Sequence, residues 1–408
     1  MTTRKMPVWS PSELHRKLDE GDRFTILDVR NRDEFEVWRI EGKHLIPTVN
    51  LPYFDLLELE SEDEEIAAAV ARAAPEKLKG KLPKSGTILA VCAEGNTSNH
   101  VAEGLRRLGF DAVNLEGGMA AWGEHYEMRV VEENPRLTIL QISRPAKGCL
   151  SYMLAGGNEA MVVDAARHID LYSRIAAERG WRITHVLDTH LQADHISGGV
   201  ALAKAAGVDY WLHPYDSIHP DDLLPATFFF RYLQGNMRFK LGETSVRTLH
   251  LPGHTLGMIN LVADERHVLT GDTLFMHSIG RPDLGGHAET WAPLLYHSLQ
   301  RLLGLPDSTV VLPGHFGHMQ EADAQGCHRA ILGALRRQHE GLRMLDRGVP
   351  AFVSYVLANL QPHPPSYDDI RRVNTGLLQV DEVKASELEL GRNRCALAQH
   401  AEAQREAA

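Results

Sequence analysis

The chain has 408 residues, more than one hydrophobic core ordinarily supports, so at least two domains are expected. Its 43% apolar and 24% charged residues exclude a disordered chain, and a formal charge of −11 leaves no electrostatic footprint for nucleic acid or anionic lipid. No export signal opens the sequence and no run of about 18 apolar residues reads as a membrane span, so a cytoplasmic protein acting on a small molecule is expected.

Ser10 to Leu18 has amphipathic helical spacing, whereas Phe24 to Val29 and Thr87 to Val91 are apolar runs of the buried-strand kind. That alternation predicts a parallel α/β sheet. After Cys92, residues Val101, Ala102, Leu105 and Leu108 share a helical face and Gly109 is a natural stop, which places Cys92 between a strand and a helix. The charged stretch 126–136 interrupts the periodicity and reads as a linker. Leu137 to Ile142 and Leu150 to Leu154 read as strands, and the Gly156-Gly157 turn leading into Ala160 to Asp164 predicts a hairpin. From Gln361 the chain is Pro-rich, then helical, and an Ala/Glu/Gln tail closes it. The expected division is 1–125, a linker 126–136, a second domain 137–345 and a helical extension 346–408 packing on that domain.

Four cysteines, Cys92, Cys149, Cys327 and Cys395, form no CxxC pair, which suits a reducing compartment and gives no disulfide framework or zinc ribbon. Cys149 lies on an apolar strand and reads as core packing; Cys327 and Cys395 carry no motif.

Cys92 is different because of its flanks. The N–H groups of Ala93, Glu94, Gly95, Asn96, Thr97 and Ser98 could form an anion-binding loop, and the following helix start adds positive partial charge. Both favour a thiolate able to take sulfane sulfur as a persulfide. From position alone, a small buried hydrophobe is an equally good reading. The segment resembles the rhodanese active-site loop, a Cys followed by Gly three residues on and Thr two beyond that. Asp28-Val29-Arg30 with Glu34-Phe35 resembles that family's first strand, Gly42 through Asn50-Leu51-Pro52 its following loop, and Leu115 through Gly117-Gly118 to Trp122 its closing signature. The resemblance spans residues 8 to 125 and implies a parallel-sheet sulfurtransferase domain with Cys92 as catalytic residue. Many thiosulfate-using members carry arginines where Ala93, Glu94 and Thr97 stand; Glu94 would repel a dianion, which counts against thiosulfate as the preferred donor and leaves a less charged persulfide as an alternative.

Further on, Val186 to His195 runs from a strand into His190, Gln192, Asp194 and His195. Three more elements, ending in His254, Asp272 and His315, each place the polar residue directly after an apolar run and a Gly. One such His is more often structural, but the repeated arrangement predicts a metal site. The set resembles the metallo-β-lactamase superfamily signature, His-x-His-x-Asp-His with a later His, Asp and His, from Leu137 to Met319, and implies an αββα sandwich. Where binuclear zinc hydrolases such as glyoxalase II have a His ligand, this chain has Gln192. The persulfide dioxygenases of the superfamily, the ethylmalonic encephalopathy protein-like group, use three ligands that map to His190, His254 and Asp272. Two His and one carboxylate leave open positions on Fe(II) for dioxygen chemistry. Gly271 to Asp283, and Pro364 to Tyr367 with Asn374 to Gly376, resemble that group as well. The resemblance implies one Fe(II) per chain, with Zn the alternative, and makes Gln192, Asp194, His195 and His315 neighbours of the metal or second-metal ligands. Arg281 and Asp283 read as an internal ion pair.

Jointly, the two resemblances imply an α/β fusion protein in which a low-molecular-weight persulfide such as glutathione persulfide reacts with O2 to give sulfite, while Cys92 loads or unloads sulfane sulfur. The expected partners are that thiol and O2, with no nucleic acid or membrane and a homodimer left open. The rival readings are a dizinc glyoxalase II-like thiolester hydrolase with a regulatory rhodanese domain, and a non-catalytic sulfur carrier or sensor.

Overall fold

The computed structural model describes residues 6–57, 59–61 and 64–397. They form two compact units. The first runs to Tyr126 and includes Arg144–Lys147 and His318–Gln320; the second comprises Glu127–Ser143, Gly148–Gly317 and the chain from Glu321 onward.

In the first unit, β1 (Val8–Trp9), β2 (Phe24–Asp28), β3 (Thr48–Asn50), β4 (Thr87–Val91) and β5 (Asp111–Leu115) form a wholly parallel sheet in the order β1-β5-β4-β2-β3. Neighbouring residues on each strand go to opposite faces. Ile26, Leu89 and Val113 pack with α1 (Pro11–Glu20), while Leu27, Ile88 and Ala112 face away from it. Both faces are apolar because both are covered, which is why these strands read as continuous hydrophobic runs. The connecting helices are α2 (Arg32–Val37), α3 (Tyr53–Leu56), α4 (Ile66–Lys77), α5 (Asn96–Arg107) and α6 (Gly118–Gly123). Ser10 caps α1 by accepting the Glu13 N–H, and Gly21 ends it in the left-handed region.

The second unit contains two mixed sheets. The first, in the order β12-β11-β10-β9-β8-β7-β6, comprises β6 (Glu127–Glu133), β7 (Thr138–Arg144), β8 (Cys149–Gly156), β9 (Glu159–Val163), β10 (Arg182–Leu187), β11 (Tyr210–Leu212) and β12 (Arg231–Tyr232). The second follows chain order: β13 (Arg238–Leu241), β14 (Thr244–His250), β15 (Ile259–Ala263), β16 (His267–Gly271), β17 (Val310–Pro313) and β18 (Ala330–Ile331). All eight residues of β8 are buried, as expected of a strand between a second sheet and a helix layer. Strands β8 and β9 form the expected hairpin, antiparallel from Tyr152–Val163 to Gly156–Glu159.

Helices α7 (Asp170–Arg179) and α8 (Gly199–Ala206) pack beside β10. On the second sheet, α9 (Ala288–Leu302), α10 (Leu332–Gln338), α11 (Glu340–Arg343) and α12 (Val349–Ala358) bury Leu295, Leu299, Leu342 and Phe352 against Val262, Val268 and Val311. The helices α13 (Ser366–Asn374) and α14 (Glu382–Leu388) follow.

The stretch expected to be a linker, 126–136, instead carries β6, paired antiparallel with β7. It is an edge strand whose only buried side chain is Val131, and the charges that suggest a loop are those a sheet edge uses against mispairing. The closing tail beyond residue 397 lies outside the described residues. Among the described residues, no helix is long and apolar enough to cross a membrane.

Candidate metal centre and thiol loop

Strand β4 is central in its sheet, so Cys92 leaves from the carboxyl end where parallel α/β sheets present their ligand-binding edge. Its Sγ accepts the N–H of Gly95 at 3.1 Å and of Ser98 at 3.4 Å, and lies 3.2 Å from Ser98 Oγ. The loop is shorter than the sequence suggests. Asn96, Thr97 and Ser98 already form the first turn of α5, with Gly95 as its left-handed N-cap, so that only Ala93, Glu94 and Gly95 lie outside the helix. The Ser98 donor is therefore one of the N–H groups a helix start leaves unpaired, aligned with its positive end.

The loop's carbonyls are engaged from behind. Met119 and Ala120 at the start of α6 donate their N–H groups to Cys92 O and Ala93 O at 2.9 Å each, and Asn114 Nδ2 donates to Gly95 O at 2.9 Å. This leaves the loop's N–H groups free to turn toward sulfur. Sequence reasoning passes over Asn114, a buried amide within apolar β5 that also accepts the Ser98 hydroxyl at 2.7 Å. A lone buried-strand amide is the signal that points to it.

In the second unit, each candidate ligand follows the end of a strand: His190 follows β10, His254 follows β14, Asp272 follows β16 and His315 follows β17. A Cβ on Gly314 would stand 2.5 Å from Asp272 Oδ1, so the glycine before His315 is what allows two of these elements to meet. His190, His254 and Asp272 are at most 1% exposed and offer ligand atoms that all lie within 4.8 Å of one another. Asp272 Oδ2 is 3.6 Å from His190 Nε2 and 3.4 Å from His254 Nε2. These three facing atoms are buried without hydrogen-bond partners. Donors held about 2.1 Å from one ion are themselves roughly 3–3.5 Å apart, so the set fits a metal, and a buried unpaired trio is otherwise costly.

The rings are in the state a metal needs. His254 Nδ1 is 2.8 Å from Arg281 O, which can only accept, so the proton is on Nδ1 and Nε2 keeps its lone pair. Thr189 Oγ1 donates to Asp164 and lies 2.9 Å from His190 Nδ1, which must then donate to it, with the same result. Burial pushes His190 down to about 3 and lowers His254, keeping both neutral. Burial alone would raise Asp272, but His315 and His190 outweigh it and hold the carboxyl below its usual range.

Gln192 is 2% exposed and its Nε2 donates to Asp164 Oδ1 at 3.1 Å, while Oε1 has no hydrogen-bond partner. Asp164, raised by burial and by Asp188, is a brace the sequence reading records only as a strand end. Asp194, His195 and His315 form a second cluster joined by Cys149, all ligand atoms again within 4.8 Å. Here Asp194 draws the others together, although His315 Nε2 makes no hydrogen bond. Asp194 Oδ2 is 2.9 Å from His315 Nε2 and 3.2 Å from Cys149 Sγ, and Asp194 Oδ1 is 3.1 Å from His195 Nδ1. Cys149 is thus buried as expected on its apolar strand, and its thiol also joins a polar cluster. Cys395, which carries no motif, is fully buried with its thiol within 4.8 Å of ligand atoms of Asp272 and His315. Burial pulls His195 and His315 down, but Asp194 beside both, and Asp272 beside His315, hold them well above the usual imidazole range.

Two further residues fasten the ligand loops. Asp216 Oδ2 accepts the Leu191 N–H at 2.9 Å and the Thr255 hydroxyl at 2.7 Å, tying the His190 loop to the His254 loop. Asn374 donates to the carbonyls of Gln192 at 2.9 Å and His195 at 2.8 Å and accepts the Ser197 N–H at 2.9 Å. Asn374 lies in the tail segment noted in the sequence; Asp216 carries no local signal.

The family model of the rhodanese-like domain matches residues 10–125, and that of the metallo-beta-lactamase superfamily matches residues 144–315. A hydroxyacylglutathione hydrolase of Methylococcus capsulatus is 33% identical over 216 residues, covering 50% of this chain and 78% of that protein. An uncharacterised Mycobacterium leprae protein is 35% identical over 191 residues, 41% of this chain and 86% of its own length. The crystal structure of a metallo-beta-lactamase from Staphylococcus aureus superposes with a TM-score of 0.50 at 25% identity, covering 59% of this chain and 72% of that one. Members of this fold bind metal ions, and the buried trio is a site suited to one. The chain belongs to the metallo-β-lactamase superfamily and carries a rhodanese-like domain in its N-terminal part.

Proposed function

We propose that the protein is an Fe(II)-dependent persulfide dioxygenase with a sulfurtransferase domain, acting in the cytoplasm on a low-molecular-weight persulfide such as glutathione persulfide. The observation that carries this reading is the set of two imidazoles and one carboxylate whose three facing atoms have no hydrogen-bond partner, with Gln192 beside it where a binuclear zinc site has a third imidazole nitrogen. In the overall reaction RSSH, O2 and H2O give RSH, sulfite and two protons: the sulfur–sulfur bond breaks, and the terminal sulfur supplies the electrons that reduce dioxygen. Bound to His190, His254 and Asp272, Fe(II) would supply the redox chemistry for that step.

The chain's own residues orient and exclude. Thr189 and the Arg281 carbonyl fix the two rings, His315 occupies Asp272 Oδ1 so that Oδ2 faces the imidazoles, and burial keeps bulk water from the trio. In the first domain, the N–H groups of Gly95 and Ser98 would stabilise the Cys92 thiolate and the outer sulfur of its persulfide. Glutathione is favoured as the thiol by the relative that acts on hydroxyacylglutathione. The deciding experiment is metal analysis of protein purified without oxygen, coupled to oxygen uptake with glutathione persulfide. One iron per chain with uptake is expected.

A second reading, a dizinc thiolester hydrolase, is favoured by the gathered Asp194, His195 and His315. Two tightly held zinc ions with thiolester hydrolysis and no oxygen uptake would establish it instead.

A further inference from the structure

The orientation of His254 depends on one carbonyl, that of Arg281, and this carbonyl is only as fixed as its peptide. That peptide lies in neither sheet. It is held by the C-terminal end of the described chain, through an antiparallel bridge between Gly280 and Ala396, a bond from Arg281 N–H to Cys395 O at 3.1 Å and one from Leu397 N–H to Ile279 O at 3.1 Å. A Cβ on Gly280 would stand 1.8 Å from Asp272 O and 3.1 Å from His254 Cβ, so this short ladder runs directly against two of the three candidate ligands.

The Arg281 side chain closes the arrangement. It is 1% exposed, and its guanidinium grips both oxygens of Asp283 at 2.7 Å, Arg394 O at 3.0 Å, and Gln361 O. Burying an ion pair costs free energy that an apolar side chain of similar volume would avoid, so packing alone does not account for an arginine here. What the planar fork supplies is simultaneous hold on a carboxylate and on two carbonyls from segments 80 and 113 residues further along the chain.

We propose that Arg281 is a positioning residue for His254, and that the segment 394–397 supports the metal centre through it. The inference rests on the reading of His254 as a ligand. The charge is not what matters: a lysine in place of Arg281 would keep it but cannot span the three acceptors.

The test is Co(II) titration of the metal-free full-length chain, read as affinity by chelator competition and as the visible d–d spectrum, with alkylation of Cys395 mapped in parallel. For Arg281→Lys we expect Co(II) affinity to fall about 10–100-fold with a changed spectrum, and Cys395, fully buried in the intact chain, to become reactive. A chain ending at Asn393 should show the same loss, and combining the two changes should be no worse than the worse one, because both act along one path. If Arg281→Lys does not fold, Asp283→Asn and the shortened chain carry the test. Wild-type affinity and spectrum in a folded Arg281→Lys protein, alongside loss of Co(II) in His254→Ala, overturns the inference. So does a lowered Tm with unchanged affinity. Tight Co(II) binding by His254→Ala overturns the ligand reading itself.

Discussion

His315 Nδ1 lies 2.7 Å from Asp272 Oδ1, so one oxygen of that carboxylate is already engaged and a single one, Oδ2, faces His190 and His254. A carboxylate bridging two metals through both of its oxygens would have to give up this bond. Titrating metal-free protein with Co(II) should therefore show one tight equivalent, with any second equivalent weaker by at least about tenfold. Two equal equivalents would mean that the bond yields and the hydrolase reading gains.

Replacing Cys92 with Ser should abolish sulfur transfer to an acceptor thiol and leave oxygen uptake from free glutathione persulfide largely intact. The hydroxyl is close to isosteric with the thiol and accepts the same Gly95 and Ser98 N–H groups, but it cannot form a persulfide. An equal fall in oxygen uptake would put Cys92 on the obligatory route to the metal.

Asn114→Leu should weaken sulfur transfer without removing any atom of the loop. The substitution leaves Gly95 O and the Ser98 hydroxyl buried without their amide partner, at a cost of about 1–3 kcal/mol, and lets the loop's N–H groups turn away from sulfur. Persulfide transfer and urea unfolding measured together decide this; a variant less stable by that amount but fully active would make Asn114 a stability residue only.

What was legible in the sequence was local. Each of His254, Asp272 and His315 follows an apolar strand and a glycine, so their convergence at strand ends could be read from the pattern, and Cys92 between β4 and α5 likewise. What was not legible acts across the fold. Asp216 joins two ligand loops, and Arg281 looks like half of a simple ion pair until the chain returns at Arg394. The strand β6 escaped for the opposite reason: its charges belong to an edge, and local composition cannot tell a sheet edge from a loop.

Acid should weaken the fold partly through His339. Its Nε2 is 2.9 Å from Ser278 O and its Nδ1 accepts the Leu342 N–H at 3.3 Å, so the folded state uses the neutral ring, and burial pushes it down to about 4. The unfolded chain takes up this proton below about pH 6.5 and the folded chain does not until much lower, so the stability is full above that value and is lost as pH falls toward 4. An asparagine in place of His339 can still cap α11 but does not titrate. The stability difference between wild type and His339→Asn should therefore shift against wild type by on the order of 2 kcal/mol between pH 7 and 4.5. Parallel pH profiles in urea titrations would refute the assignment.

The choice between dioxygenase and hydrolase leans most on Gln192, and a ligand and a neighbour respond differently to truncation. Gln192 turns its nitrogen to Asp164, which also accepts from Thr189, the residue that holds the His190 ring. As such a brace, its replacement by Ala should cost about 10–100-fold in metal affinity or rate and leave iron bound. Removing His254 deletes one of three donors whose facing atoms have no other partner, so His254→Ala should be isolated nearly metal-free and show no oxygen uptake above background. Gln192→His should still hold a single iron, because Asp272 Oδ1 stays with His315 and Asp194 stays with His195, His315 and Cys149. Iron content and oxygen uptake measured for the three variants side by side separate the cases: equal loss in Gln192→Ala and His254→Ala would make Gln192 a direct ligand, since its Oε1 has no hydrogen-bond partner to keep it from the metal.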